Sequence, residues 1–365
     1  MSSEYVLFAG PYPPPVHGQS FAFKMAYDHF RNNKILLSQN LEVSSNTLRV
    51  LMTIKTLFRY IYLFSRYKIR VVYIAGSRSM LGAFKDIVLI NLSRWNGARV
   101  INHVHAAYFN LFLQRLPVFV RNIYQRAYKK VNVFICLLPQ MKEEYTDFQQ
   151  TASIEVVGNF YDPAMDLLED HDLAPCAEPV ICYFSNLIYS KGIFDVVDAF
   201  LICKKKFPAL KLKVAGNYGS DAWMNASEVR SRFENVLSEQ PDVQYLGPVY
   251  HHAKTNFLRS AEIFVLPSFY SSEAFPISIL EAMRQGNAII VSDHHYLAGV
   301  VNVETGKVVP PRNPEALAEA INNWLSQPEE LLKIRKCCRE FAKSRFELRQ
   351  YNEHLYTIIH REMSR

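Results

Sequence analysis

The stretch SSEAFPISILEAMRQGNAIIVSD, Ser271–Asp293, reads as loop, short helix and buried strand. Pro276 suits a first helical position, where its missing N–H would be unpaired anyway. Ile279, Leu280 and Met283 supply an apolar face, and Gly286 fits the residue just past the helix end. Asn287–Val291 is an apolar run of strand length. Glu273 then lies in the loop before the helix, and Glu281 about a turn and a half inside it. A carboxylate beside a helix N-terminus, where backbone amides point outward, suits a polyhydroxyl ligand carrying phosphate. From spacing alone, the stretch also reads as a capped helix with two solvated glutamates.

The same alternation of strand and helix runs outward in both directions. Tyr5–Phe8, Val71–Ile74, Arg99–His103 and Val131–Leu137 read as strands, separated by helices over Ser20–Arg31, Leu51–Arg66, Leu81–Arg94 and Pro117–Tyr128. Val180–Phe184, Lys211–Ala215, Val243–Leu246, Ile263–Leu266 and Ala288–Val291 repeat the pattern. This predicts the α/β class, with parallel sheets covered by helices on both faces. The acidic, Pro-containing stretch YDPAMDLLEDHDLAPCAEP, Tyr161–Pro179, reads as the joint between two such halves. The expected organisation is a first domain over 1–165, a second over 166–345, and a last helix over 346–365. Ligands of open α/β sheets bind beyond the carboxyl ends of the strands, so two facing domains predict a site in the cleft between them.

With 365 residues and 49% hydrophobic content, the chain is long and apolar enough for two globular domains. No signal peptide is evident in MSSEYVLFAG, and no stretch reaches the length of a spanning helix. The six cysteines lack metal spacing and read as free thiols of a cytoplasmic protein. Charge is unevenly distributed. Residues 1–165 hold 19 Lys/Arg against 9 Asp/Glu, whereas 166–365 hold 22 against 25. Between 51 and 130 there are 14 basic residues and a single acid, Asp86. An anionic partner for the first half is the implication. Leu51–Arg70 and Tyr108–Lys130 interleave leucine, aromatic and basic residues, a pattern suited to an anionic membrane interface. The same pattern also reads as core positions flanked by solvated cations. No nucleic-acid-binding module is present, and no nucleic acid partner is expected.

Glu273 to Ile290, E-A-F-P-I-S-I-L-E-A-M-x-x-G-x-x-I-I, resembles the E-x7-E signature of retaining glycosyltransferases with the GT-B fold, family 4. AEIFVLPSFYSSEAFP upstream and ETGKVVPPRNPEALAEAI, Glu304–Ile321, downstream resemble the flanking segments of that family. The resemblance is dense from about Val180 to Ile321 and thinner before it. It implies two facing Rossmann-like domains, with the last helix crossing back to the first. It also implies transfer of a sugar from a nucleotide-sugar, with UDP-sugar the first choice, to a lipid-diphosphate-linked saccharide in O-antigen, capsule or related polysaccharide assembly. The enzyme is then expected at the cytoplasmic face of the plasma membrane. No cofactor and no metal are expected beyond the donor itself.

The resemblance also assigns residues. In YFSNLIYSKGIFDVVDAF, Tyr183–Phe200, the family pattern Gly-Arg-x-x-x-x-Lys-Gly falls on Ser185, Asn186, Lys191 and Gly192. Lys191 carries over as the cation for the departing diphosphate. Asn186 stands where Arg is usual, which removes one of two phosphate cations, although its amide still donates hydrogen bonds. Glu281 is assigned to the nucleotide ribose. Glu273, with the amides of Phe275 and Ile277 around Pro276, is assigned to the sugar. His105, in INHVHAAYFN, would position that sugar; a structural histidine is the other reading. Gly18, in the loop AGPYPPPVHGQS, and Gly216 complete the donor set. Ser20 is expected to cap the following helix.

The pairs His251-His252 and His294-His295 read as loop residues at a pocket rim or surface, with His294–Tyr296 replacing a Gly-Gly turn. Asp170-His171-Asp172 spells D-x-D but lies in the polar joint and is given no role. Two other functions share such a donor site. One is a sugar-nucleotide epimerase or hydrolase, and the other is a non-catalytic nucleotide-sugar-binding protein.

Overall fold

The computed structural model describes residues 3–14, 16–39, 46–77, 79–168, 170, 172–174 and 177–365; Pro15, His171 and Cys176 lie outside them. Two compact units form. The first comprises Met1–Asn159 with Arg349–Arg365, and the second Phe160–Leu348.

The first unit is built on β1 (Glu4–Gly10), β2 (Lys34–Ser38), β3 (Lys68–Ala75), β4 (Arg99–His103), β5 (Val133–Cys136) and β6 (Ser153–Val156). They form one parallel sheet in the order β2-β1-β3-β4-β5-β6. The central strands are continuous apolar runs because both faces are covered. Val71, Val72, Tyr73, Ile74, Val133, Phe134 and Ile135 have no exposed surface. The helices are α1 (Gly18–His29), α2 (Asn46–Arg66), α3 (Met80–Trp95), α4 (Phe109–Arg115) and α5 (Val118–Tyr128). Parallel crossovers are right-handed, and β1→β2 runs opposite to the later steps. Hence α1 covers one face of the sheet, and α2, α3 and α5 cover the other. In that layer α3 packs against both α2 and α5. The closing helix, Leu348–Met363, bonds into this unit through Arg361 to Glu155 (2.8 Å) and Arg99 to Glu362 (2.5 Å).

The second unit has β7 (Val180–Phe184), β8 (Lys211–Ala215), β9 (Val243–Tyr245), β10 (Ile263–Leu266), β11 (Ala288–Ser292) and β12 (Gly306–Val309). The sheet is again parallel, ordered β12-β11-β10-β7-β8-β9. Its helices are α6 (Ile193–Lys204), α7 (Ala226–Glu239), α8 (His251–Arg259), α9 (Ile277–Arg284), α10 (Pro314–Leu325) and α11 (Pro328–Arg345).

Three local expectations are corrected. The first helix begins at Gly18, not Ser20. His17 is its N-cap, and Ser20 sits at the third helical position in a reciprocal capping box. Pro276 is the N-cap of α9, with the helix opening at Ile277. His251 and His252 open α8 instead of lying in a loop. The described cysteines, Cys136, Cys182, Cys203, Cys337 and Cys338, are free thiols.

Candidate active site

In the second sheet the chain leaves β7 toward β8 on one side and reaches β10 on the other. The topological switch point therefore lies at the carboxyl ends of β7 and β10, where open α/β sheets bind ligands. Ser185–Gly192 follows β7, and Ser268–Pro276 follows β10. The order of the strands thus brings the two sequence motifs to one place. They are tied directly: Phe269 N–H donates to the Ser190 carbonyl at 2.7 Å, and Ser190 N–H donates to Asp221 at 2.8 Å.

At their junction Lys191 Nζ lies 2.5 Å from Glu273 Oε2 and 4.8 Å from the Tyr270 ring centroid. Ser268 Oγ donates to the same carboxylate oxygen at 2.8 Å. Glu273 is buried. Lys191 ends a short turn, Tyr189–Lys191, and Gly192 then caps α6. Gly192 takes φ +79°, and a Cβ there would meet the Pro267 carbonyl oxygen at 2.5 Å, so the turn that presents Lys191 requires glycine. Ser185 is half-buried and Asn186 exposed at the head of this loop.

Gly216 follows β8 with φ +147°, and a Cβ would lie 1.8 Å from the Ser185 carbonyl oxygen. Its role is therefore to let two ligand-edge loops touch. Gly216→Ala is expected to cost about 2 kcal/mol or more of stability by urea unfolding, because strain and clash act together; a variant as stable as the parent would contradict this contact. Gly18 differs, since a Cβ there would meet nothing within 4 Å.

Glu281 is placed inside α9 and is almost fully buried. Burial raises its carboxyl above the ordinary range, and Lys254 opposes that shift. Lys254, on α8, donates to Glu281 Oε1 at 2.6 Å and to Asp162 Oδ2 at 2.8 Å. Nothing in the local sequence marks this lysine, whose partners are 27 and 92 residues away. Phe275 packs edge-on against Phe346 with ring centroids 5.7 Å apart, which anchors the loop just before α9. Pro276, the N-cap, and Ile277 place the N-terminus of α9 next to that anchor, with no side chain of the cap bonded to it.

His294 and His295 follow β11. His294 Nε2 lies 3.2 Å from the Tyr270 carbonyl, so this pair backs the loop that carries Glu273. Burial pushes His294 down and His295 to about 4, so both rings are neutral at physiological pH. Asp170 of the D-x-D sequence accepts from Arg284 at 2.7 Å. Among the described residues no group of three or more His, Cys, Asp or Glu is placed to hold a metal ion.

His105 and Gly18 belong to the first unit; the other candidate residues belong to the second. The His105 ring lies against His103 with centroids 4.1 Å apart and the planes tilted by 31°, and His103 Nδ1 lies 2.5 Å from the Tyr73 hydroxyl. Burial pushes His105 down to about 3. It can therefore offer a hydrogen bond but no charge.

Residues 169–345 match the family described as glycosyl transferases group 1. A D-rhamnosyltransferase, WbpZ, of Pseudomonas aeruginosa is 38% identical over 39% of this chain and 36% of its own. An N,N'-diacetylbacillosaminyl-diphospho-undecaprenol alpha-1,3-N-acetylgalactosaminyltransferase of Campylobacter jejuni is 25% identical over 49% of this chain and 42% of its own. The chain thus spans less than half the length of these curated relatives. Among solved structures, Anabaena Alr3699/HepE in complex with UDP aligns over 97% of this chain and 99% of its own, with TM-score 0.72 and 14% identity. Residues 169–345 are thus similar to the group 1 glycosyl transferases, and the chain has the two-Rossmann-unit GT-B fold.

Proposed function

We propose that this protein transfers a sugar from a nucleotide-sugar, with a UDP-sugar the first choice, to a lipid-diphosphate-linked saccharide, with retention at the anomeric carbon. The observation that carries the reading is the convergence of Lys191, Glu273 and the α9 N-terminus at the switch point of the second sheet. A cation and open amides suit a diphosphate, and a buried carboxylate beside them suits sugar hydroxyls. HepE has been solved with UDP and with UDP-glucose, which supports the donor class. The name of the Campylobacter relative supports a polyprenol-diphosphate acceptor.

In this reading the bond between the anomeric carbon and the diphosphate oxygen breaks, and the diphosphate leaves with the electron pair. The acceptor hydroxyl bonds to the same face of the carbon, and its proton passes to the leaving phosphate. Lys191 and the α9 amides stabilise the charge that grows on the leaving group, the largest electrostatic demand of the step. Asn186 adds hydrogen bonds to phosphate. Glu273 orients the sugar, and Glu281 takes the ribose. No residue of this set acts as a covalent nucleophile, and no metal enters the step. An acceptor of this class would place the enzyme at the cytoplasmic face of a membrane.

A thermal-shift panel of UDP-, GDP- and ADP-sugars tests the donor. A ligand at a hundred times its Kd stabilises by about 2.7 kcal/mol, or about 5–10 °C for a unit of this size. No shift with any of them would defeat the reading. Donor consumption at full rate without acceptor would instead favour a hydrolase or epimerase.

A further inference from the structure

The second helix of the first unit is apolar on two opposite sides. Its inner side buries Thr53, Tyr60 and Leu63, and the Tyr60 hydroxyl donates to the Leu89 carbonyl of α3 at 3.1 Å. Its outer side carries Leu51, Ile54, Phe58, Ile61 and Tyr62, at the three- and four-residue spacing of one stripe, each between 45 and 69% exposed. A solvated helix ordinarily turns charged residues outward. Here Lys55, Arg59 and Arg66 line one flank of the stripe instead, and all three are exposed.

The stripe is not isolated. Because α2, α3 and α5 each follow a parallel strand, their N-termini share the carboxyl edge of the sheet, the edge at which α/β sheets bind ligands. At that edge α3 exposes Met80 and Phe84 in its first turns, and α5 exposes Val118 and Phe119. Arg115 stands exposed beside them. The one acid between residues 51 and 130, Asp86, is fully buried and accepts from the Ser77 amide at 3.0 Å. The outer surface of this helix layer therefore offers hydrocarbon and positive charge, with no carboxylate from these eighty residues to oppose them.

We infer that this face of the first unit, centred on Phe58 and Ile61 and flanked by Lys55, Arg59 and Arg66, seats in the interface of an anionic bilayer. The chemistry selects that partner. Aromatic and branched apolar side chains enter the headgroup–acyl boundary, and flanking cations meet anionic headgroups. Nucleic acid would answer the cations but has no use for the apolar stripe. Apolar plus basic contact supplies the two signals that stable peripheral attachment requires. No helix of the described residues is long and apolar enough to cross a membrane, so the contact is with one leaflet. The inference stands on the geometry of α2, α3 and α5 and does not depend on the transferase reading.

Flotation of the full chain with vesicles tests it. One set is pure phosphatidylcholine, and the other has a quarter of the lipid as phosphatidylglycerol. Binding to the anionic set at low salt is expected, with high salt weakening it. Phe58→Asp should cut partitioning about tenfold or more. Lys55→Gln with Arg59→Gln should cut the preference for anionic vesicles about tenfold, since each headgroup contact is lost separately. Both substitutions are at exposed positions, so melting temperature should stay within a degree or two of the parent. Protein that stays with the aqueous fraction at low salt, or a Phe58→Asp variant that partitions like the parent, overturns the inference. So does a dimer in lipid-free solution that Phe58→Asp converts to monomer, because the face would then belong to a second copy. The assay reads no sugar transfer, so its failure leaves the donor chemistry untouched, and loss of donor binding leaves this face untouched.

Discussion

Lys191→Ala is expected to lower kcat by about 10²–10³-fold, the effect of deleting one preorganised stabiliser of charge that develops in the transition state. The position of the ammonium sets the size of this effect. It lies 2.5 Å from Glu273, over the Tyr270 ring, at the end of a turn that Gly192 and Pro267 hold rigidly. The side chain is thus positioned before any ligand arrives. A diphosphate that enters beside the α9 N-terminus would exchange one carboxylate contact for two phosphate oxygens. The resulting gain grows as the leaving group takes its electron pair, so kcat should fall more than donor affinity does. Glu273→Gln separates the partners. It keeps the size of the side chain and its hydrogen bonds but removes the charge that holds Lys191, so UDP affinity should survive while transfer falls. Steady-state kinetics with thermal melts of each variant reads both effects. A Lys191→Ala enzyme with kcat within threefold of the parent would remove Lys191 from the chemistry.

The sequence showed the centre of each sheet better than its rims, for a physical reason. Arg99–His103, Val180–Phe184, Lys211–Ala215 and Ile263–Leu266 match their strands to the residue. These are interior strands, and each holds a buried apolar stretch, continuous in Val180–Phe184 and Ile263–Leu266 and opened by a half-buried Arg99 or Lys211 in the other two. Lys34–Ser38, Ser153–Val156 and Gly306–Val309 carried no such signal, and all three are edge strands with half-buried residues. The start of α1 was misplaced because histidine rarely caps a helix; its Nδ1 does so here by accepting the Ser20 amide.

The site divides in the same way. Glu273, Glu281 and Lys191 stand out because their motifs are local, and the strand order delivers them to one switch point. Which groups pair with which is not legible in the sequence. The contact between Lys191 and Glu273 spans 82 residues, and the cation that faces Glu281 comes from a helix whose sequence gives no reason to single it out. A substitution on that helix, Lys254→Met, therefore tests a feature that only the fold reveals.

That variant is expected to lose about 3–5 kcal/mol of stability, the usual consequence of leaving a buried ion without its partner. Lys254 and Glu281 are only 12% and 4% exposed at their side chains, and a second carboxylate, Asp162, is within 2.8 Å of the same ammonium. Removing the lysine leaves two acids without the cation they share, in a site whose burial already disfavours the charge of Glu281. The pH dependence follows from the direction of the Glu281 shift. Its folded carboxyl holds a proton more tightly than the unfolded one, so its contribution to stability is full at low pH and is lost as pH rises through the folded value. Lys254 opposes that shift, so its loss moves the folded value further up and widens the window of instability. The deficit of Lys254→Met against the parent should then be greatest at about pH 8 and shrink toward about pH 5. Lys254→Met combined with Glu281→Gln should recover much of the lost stability, since no buried carboxylate remains unpaired at that position. On the proposed assignment of Glu281 to the ribose, the single variant raises the donor KM with little change in kcat, whereas the double variant keeps the high KM despite its restored stability. Urea unfolding across pH, run beside donor kinetics, separates these effects. A single variant as stable as the parent at pH 8 would mean that Lys254 does not offset the burial of Glu281.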